Sequence, residues 1–300
     1  MQDELAGISI KFNEEALGML NFALGFIMLG IALDLKRSDF AKLLQYPKAS
    51  VVGLLSQYLA LPILTFILVY TLRPHPSLAL GMILVAACPG GNISNFFTYL
   101  SKGNVSLSVS LSMVSTLAAV LLTPLQLQFW GGLLPETRSI LTSVNLNFLD
   151  TLKVVSIIML IPIGLGMWIS WKHPKLSERI KKPIKIGSFI ILLGIIVGGL
   201  ASNWQLFIDY YDRVVFLVFA HNGLALLAGF ALGILSGVGR AATKTITIET
   251  AIQNSGLGLV LIFNFFEGNG GMAIITAWWG IWHILSGFTV SQLFKRYYPE

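Results

Sequence analysis

Long apolar runs, broken by short polar punctuation, repeat from one end of the chain to the other. A helix of about 20 apolar residues crosses the roughly 30 Å of hydrocarbon in a bilayer. Nine such runs occur, at 16–34, 50–71, 77–100, 105–130, 150–171, 186–207, 214–236, 245–266 and 271–294. A lipid-spanning β-barrel needs short alternating segments, and these runs are continuous and too long for that. The pattern therefore predicts an all-α polytopic membrane protein with nine transmembrane helices and no separate soluble domain.

Composition agrees: of 300 residues, 55% are hydrophobic and 11% charged, and mean hydropathy is +0.77. A net charge of +6 would suit a nucleic-acid binder, but the basic residues sit in alternate loops. With the amino terminus outside, Lys36, Arg37, Lys42, Lys48, Lys102, Lys172, Lys175, Arg179, Lys181, Lys182, Lys185, Arg240, Lys244, Lys295 and Arg296 fall on the cytoplasmic side. Only Lys11, Arg73, Arg138, Lys153 and Arg213 fall outside, a split of 15 to 5. The positive-inside rule then places the chain in the cell membrane with its amino terminus out and its carboxyl terminus in the cytoplasm. Tyr70, Trp130, Trp171, Trp204 and Tyr210 stand at span ends, as interfacial anchors do. The first fifteen residues carry acids instead of a basic leader region, which argues against a cleaved signal peptide. Cys88 is the one cysteine, so no intrachain disulfide forms.

Two spans carry helix-breaking sequence near their middle. The third contains Pro89-Gly90-Gly91-Asn92-Ile93-Ser94-Asn95, and the eighth contains Gln253-Asn254-Ser255-Gly256-Leu257-Gly258. Proline removes a backbone donor and clashes with the preceding turn, and glycine tolerates conformations that other residues avoid, so both helices are expected to unwind there. The broken spans lie five apart and so run in opposite directions. Spans 1–4 then pair with spans 6–9 as an inverted repeat, with two broken helices crossing at mid-membrane and the fifth span unpaired. Interrupted helices at matching positions of two halves mark the binding site of a transporter. Glycine and proline are also common in ordinary transmembrane helices, so either break alone carries little weight.

Of the acidic residues, Glu249 alone lies inside a span, about one turn before the second break. An ionised carboxylate in hydrocarbon costs several kcal/mol unless it meets a cation, a proton or a donor network. Gln253 shares its helix face, and Gln57 is a second amide deep in an apolar run. In span 4, Ser108 and Ser112 share a face, with Ser115 and Thr116 one turn on. Serines in such helices usually bond back to their own carbonyls, and these gain meaning from their company. That company is carboxylate, amide, hydroxyl and freed carbonyl oxygen, which suits a hard cation such as sodium and not zinc or copper. The half-helices that begin after each break aim their amino-terminal ends at the membrane centre, where they favour an anion. His221, Asn222 and His283 are also intramembrane, as substrate contacts, proton carriers or packed core residues.

Cys-Pro-Gly-Gly-Asn-Ile-Ser-Asn at 88–95, Thr98-Tyr99-Leu100 with Gly103-Asn104-Val105, and Glu249 followed by Gln253-Asn254-Ser255-Gly256 resemble the two crossover motifs of the bile acid:sodium symporter family. His221-Asn222-Gly223 and Trp282-His283 match two further signatures, and the likeness covers essentially the whole chain. The resemblance implies a core domain, residues 50–130 and 214–294 (helices 2–4 and 7–9), moving against a panel domain, residues 16–34 and 150–207 (helices 1, 5 and 6). It implies a first sodium site on Ser94, Asn95, Ser108, Ser112 and Glu249. A second would use Gln57, Glu249, Gln253 and the carbonyls of Thr250 and Ile252. Substrate would lie near Asn92, Asn254 and His283. The chain lacks the first helix of ten-helix relatives, and Ile284 follows His283 where several relatives have asparagine, so a substrate contact differs.

The expected function is thus symport of a small organic anion, bile acid-like or another carboxylate, with two Na+ ions, by alternating access. It requires the lipid bilayer, and neither nucleic acid nor an obligatory protein partner. Proton coupling through Glu249 is the first rival, and oxyanion efflux using Cys88, as in some distant relatives, the second. An intramembrane hydrolase is a rival of another class, but no His-Glu-x-x-His, Gly-x-Ser-x-Gly or paired intramembrane aspartates occur, so an enzyme is not expected.

Overall fold

Without water to bind them, backbone N–H and C=O groups inside a bilayer must be satisfied within the chain, and helix is the simplest solution. The computed structural model describes residues 14–33, 43–91, 93–143, 148–202 and 204–299, and no strand forms among them. Helix α1 (Glu14–Ala32) is followed by α2 (Pro47–Leu72), α3 (Pro76–Ala87), α4 (Ile93–Leu100) and α5 (Val105–Gly132). A short helix α6 (Pro135–Ser143) precedes α7 (Phe148–Lys172), α8 (Pro174–Ser202) and α9 (Trp204–Leu235). The chain ends with α10 (Arg240–Ala251), α11 (Ser255–Phe265) and α12 (Gly270–Tyr297). Among the described residues, four stretches are long and apolar enough to cross a membrane: Pro47–Leu72, Val105–Gly132, Tyr211–Leu235 and Gly270–Tyr297. Pro76–Ala87 and Ser255–Phe265 are shorter apolar helices.

The boundaries depart from the sequence reading in three places. Helix α8 starts at Pro174, well before residue 186, and takes in the basic segment. Proline suits a first helical position, and Lys181 pairs with Glu178 on the same face at 2.6 Å. Helix α9 starts at Trp204, so the loop expected at 208–213 is helical; no glycine or proline stands between Trp204 and Arg213 to stop it. Helix α6 forms where an irregular loop was expected, with Pro135 at its start and Glu136 in its first turn.

Helix α2 contains a wider π turn at Ser56–Ala60. Pro62 has no N–H to offer Tyr58 O, four residues back, and its ring crowds that carbonyl. Gln126 of α5 makes good the loss by donating to Tyr58 O at 2.7 Å. The turn displaces Gln57 and Ser56 toward the protein interior, where both are buried.

The largest apolar cluster joins Leu80 and Leu84 of α3, Met113 and Leu127 of α5, Leu257 and Ile262 of α11 and Met272 of α12. Met28 of α1 and Met159 of α7 complete it. Helix α1 packs on α7 and α8, and α10 packs chiefly on α9. Glycine makes the closest contacts possible, as is usual where membrane helices associate by van der Waals packing. A Cβ on Gly229 of α9 would stand 2.7 Å from Thr247 Cα, and one on Gly271 of α12 would stand 2.6 Å from Ser77 Cβ of α3. Gly223 of α9, by contrast, has nothing within 4 Å of such an atom.

These contacts set the sign of a paired test. Gly229→Ala should lower the stability of the purified protein by about 1–3 kcal/mol through overpacking. Gly223→Ala, with free space and better helix propensity, should leave it unchanged or raise it by up to about 1 kcal/mol. Thermal denaturation of both variants checks this, and equal losses would mean that close α9–α10 packing is not the cause.

Candidate functional site

The two interrupted spans meet at their breaks. Helix α3 ends at Ala87 and α4 resumes at Ile93; α10 ends at Ala251 and α11 resumes at Ser255. Between them, Gly90 and Gln253 form an antiparallel bridge. The Gly91 N–H donates to Ile252 O at 2.7 Å, and the Asn254 N–H donates to Pro89 O at 2.9 Å. A side chain on the near side would be tight. A Cβ on Gly91 would stand 3.0 Å from Gln253 O, and one on Gly90 would stand 3.1 Å from Glu249 Oε2.

Unwinding frees carbonyls on both helices, and side chains from neighbouring helices take them up. Thr123 Oγ1 donates to Ala87 O at 2.7 Å, Gln57 Nε2 to Cys88 O at 2.9 Å, and Asn222 Nδ2 to Ala251 O at 2.8 Å. Gln253 Nε2 turns back to Thr250 O at 2.7 Å. On the other side of the break, Asn254 caps α11 by accepting the Leu257 N–H at 3.0 Å.

Glu249 is 5% exposed and lies beside this bridge. Ser94 of α4 donates to its Oε1 at 2.5 Å, Ser112 of α5 donates to its Oε2 at 2.9 Å, and Ser108, one turn before Ser112, also donates to Oε1. The oxygens of Ser94 and Ser112 lie 3.3 Å apart. Hydroxyls from two helices thus converge on a carboxylate carried by a third, and their lone pairs remain open to a cation. Ser115 and Thr116 instead bond back to Ser112 O at 3.0 and 2.7 Å, the ordinary behaviour of hydroxyls in membrane helices. Asn95 does not join the carboxylate network; its Oδ1 is buried and has no hydrogen-bond partner among the described residues.

Gln57 and Gln253 form a reciprocal amide pair, with Gln57 Nε2 to Gln253 Oε1 at 2.9 Å and Gln253 Nε2 to Gln57 Oε1 at 3.1 Å. Thr250 Oγ1 meets Ser56 Oγ at 2.7 Å beside them. The carbonyls of Thr250 and Ile252 each accept one bond in this arrangement and keep a second lone pair. Glu249 lies on α10 four residues before Gln253, which stands in the break, and is hydrogen-bonded to the serines and not to the amide pair.

Asn92 lies outside the described residues. Asn254 stands at the break as the α11 cap, and His283 stands on α12, 7% exposed, with Nδ1 buried and without a hydrogen-bond partner among the described residues. Its helix face is turned to the crossover: one turn on, a Cβ on Gly287 would come within 2.6 Å of Phe97 Cδ2 and 2.9 Å of Ile252 Cδ1. His221 belongs to a packed knot. Thr65 Oγ1 lies 2.8 Å from Leu61 O and shares a hydrogen bond of 2.6 Å with His221 Nε2, and Trp279 stands edge-on to the imidazole. Sequence reasoning did not single out Ser56, Tyr58, which donates to Ser115 O at 2.6 Å, or Thr123. For the first two, Pro62 so soon after Gln57 was the available signal of a displaced turn; for Thr123 there was none.

The profile of the Sodium Bile acid symporter family matches residues 21–209. The uncharacterized sodium-dependent transporter YocS of Bacillus subtilis (strain 168) is 32% identical over 274 residues, which is 91% of this chain and 82% of that protein. The protein named probable sodium/metabolite cotransporter BASS1, chloroplastic, of Arabidopsis thaliana is 32% identical across 91% of this chain and 66% of its own length. The sodium-dependent organic anion transporter of Mus musculus is 26% identical across 91% and 72%. With a family profile spanning more than half of it and a bacterial relative aligned along most of both lengths, this chain belongs to the sodium bile acid symporter family, a family of membrane transporters and not of enzymes.

Proposed function

We propose that the protein takes up a small organic anion together with two sodium ions by alternating access. The observation that carries this reading is a buried carboxylate at a crossing of two broken helices, met among the described residues by hydroxyl donors from two other helices. Sodium replaces those donors as the partner of Glu249. Ser94, Ser108, Ser112 and Asn95 then turn oxygen lone pairs to the ion, and the Asn95 Oδ1, buried without a hydrogen-bond partner among the described residues, is ready to do so. A second ion sits between Gln57, Gln253 and the carbonyls of Thr250 and Ile252, with Glu249 supplying charge to both. The anion binds beside them at Asn92, Asn254 and His283, near the amino-terminal ends of α4 and α11.

The nine-span inverted repeat supplies the moving parts. Spans 2–4 and 7–9 form the core that carries the crossover, and spans 1, 5 and 6 form the panel. Packing of α1 on α7 and α8 supports that grouping. Loop charge supports an amino terminus outside the cell membrane and a cytoplasmic carboxyl terminus. The names of the bacterial, plant and mouse relatives support sodium as the coupling ion and a metabolite or organic anion as cargo.

Energetics favour two ions over one. With a monovalent anion, two sodium ions move one net positive charge, worth about 2.3 kcal/mol per 100 mV. Each ion falling down a roughly tenfold gradient adds about 1.4 kcal/mol. The total of about 5 kcal/mol sustains accumulation of roughly several thousandfold.

Sodium should stabilise the purified protein against heat, by about 2.7 kcal/mol at a hundred times its dissociation constant, and Glu249→Ala should abolish the response. An undiminished sodium response in that variant would remove the basis of both ion sites. Ser108→Ala should demand about tenfold more sodium for half-maximal uptake, the loss of one charge-assisted contact. In proteoliposomes, uptake of a panel of carboxylates should follow the sodium gradient and an inside-negative potential; uptake that follows pH and ignores sodium would favour proton coupling.

A further inference from the structure

Helix α8 carries charge where the helix beside it carries none. Ser177 Oγ donates to Leu33 O at 3.3 Å, and a Cβ on Gly187 would stand 3.0 Å from Phe26 Cε1, so residues 177–187 run alongside residues 26–33 at the end of α1. That part of α1 reads Phe-Ile-Met-Leu-Gly-Ile-Ala-Leu, without a charged residue. The matching part of α8 holds Arg179, Lys181, Lys182 and Lys185. These cations therefore lie level with the end of an apolar span, at the border of hydrocarbon and headgroups, and not beyond it in bulk water.

The side chains of this segment divide by face. Ser177 is buried and Ile180 and Ile184 are half-buried, spaced by three and four along the inward side. Lys175, Arg179, Lys182, Ile186 and Ile190 follow one another at steps of four, three, four and four, so they share one stripe on the opposite side. All five are exposed, Ile186 to 51% and Ile190 to 61%. Exposed isoleucines in an apolar span face acyl chains, and the three cations continue their stripe by about one to three turns toward the headgroups. Trp168 and Trp171 of α7, both exposed, stand at the same end, as aromatic residues do at a membrane interface.

A cation at that depth requires a counter-charge. The segment supplies little: between residues 172 and 185 there are six basic residues and one acid, Glu178, which pairs with Lys181 at 2.6 Å beside the stripe. Long lysine and arginine side chains lie along apolar surface and carry their charge up to the phosphates. A lipid whose tails cover Ile186 and Ile190 places its phosphate next to these cations, whereas a soluble acidic partner would have to approach through the headgroups. We infer that Lys175, Arg179 and Lys182 form a seat for the headgroup of an anionic phospholipid, which fixes this end of α8 in its leaflet. The inference rests on membrane embedding and not on the sodium reading of the Glu249 pocket.

The test measures lipid retained on the full-length protein by native mass spectrometry, after titration with phosphatidylglycerol or with phosphatidylcholine of the same chains. Wild type should prefer phosphatidylglycerol by about a hundredfold, from about fivefold for each of three cations near the headgroups. The triple variant K175Q/R179Q/K182Q should lose nearly all of that preference, and Lys182→Gln alone should reduce it about fivefold. K102Q/K295Q/R296Q removes the same charge from other exposed positions and should keep the preference within about twofold. An undiminished preference in the stripe variants would overturn the inference, as would an equal loss in the control variant or a wild-type protein indifferent to headgroup charge. Should the triple variant fail to fold, Lys182→Gln decides by the same readings. Binding of inorganic phosphate or soluble polyglutamate as tightly as phosphatidylglycerol would also overturn it, because the stripe would then serve a soluble anion.

Discussion

Two backbone hydrogen bonds, Gly91 N–H to Ile252 O and Asn254 N–H to Pro89 O, hold the unwound parts of two helices against each other. Inside a bilayer an unwound helix exposes donors and acceptors that lipid cannot satisfy, at several kcal/mol apiece. A single broken helix would be hard to maintain. Two that break at the same depth and lie antiparallel satisfy part of each other's need, and Thr123, Gln57, Asn222 and Gln253 take the remaining carbonyls. The crossover thus satisfies much of the backbone that the two breaks free.

That constraint places the chemistry. Because Gly90 has no side chain, the Glu249 carboxylate can lie against the opposite break, where a Cβ would stand 3.1 Å from Oε2. Because α4 restarts directly after the break, Ser94 reaches the same carboxylate that Ser108 and Ser112 reach from α5. The amide pair on the other flank depends on a different defect, the π turn that Pro62 imposes on α2. Hydroxyls serve the carboxylate, and amides serve the freed carbonyls and each other. This division follows from donor capacity: a carboxylate only accepts, whereas an amide both donates and accepts.

Glycine at helix contacts supports the same end. Gly229 and Gly233 let α9 lie directly on α10, and Gly81 and Gly271 let α3 and α12 meet closely, so both interrupted helices are clamped by uninterrupted ones. Between lipid-like side chains there is little hydrophobic drive to associate, and close van der Waals packing takes its place.

Much of this was legible in the sequence, and particular residues show why. Span positions follow from runs of apolar residues, a one-dimensional property, because bilayer thickness sets the length that each helix must have. The two breaks were readable because proline and glycine act on the backbone locally, and the isolation of Glu249 was readable because a lone acid in an apolar run is conspicuous anywhere. Helix ends at Pro174 and Trp204 were not, since hydropathy marks where lipid ends and not where hydrogen bonding stops. Nor could the sequence say which of the many serines turn to Glu249, because Ser108 and Ser115 look alike until the packing of α4 and α10 on α5 selects one and leaves the other bonded to its own helix. Local composition thus determined the elements and their defects. Only the tertiary structure decided which oxygens meet, because that depends on helices brought together from residues more than a hundred positions apart.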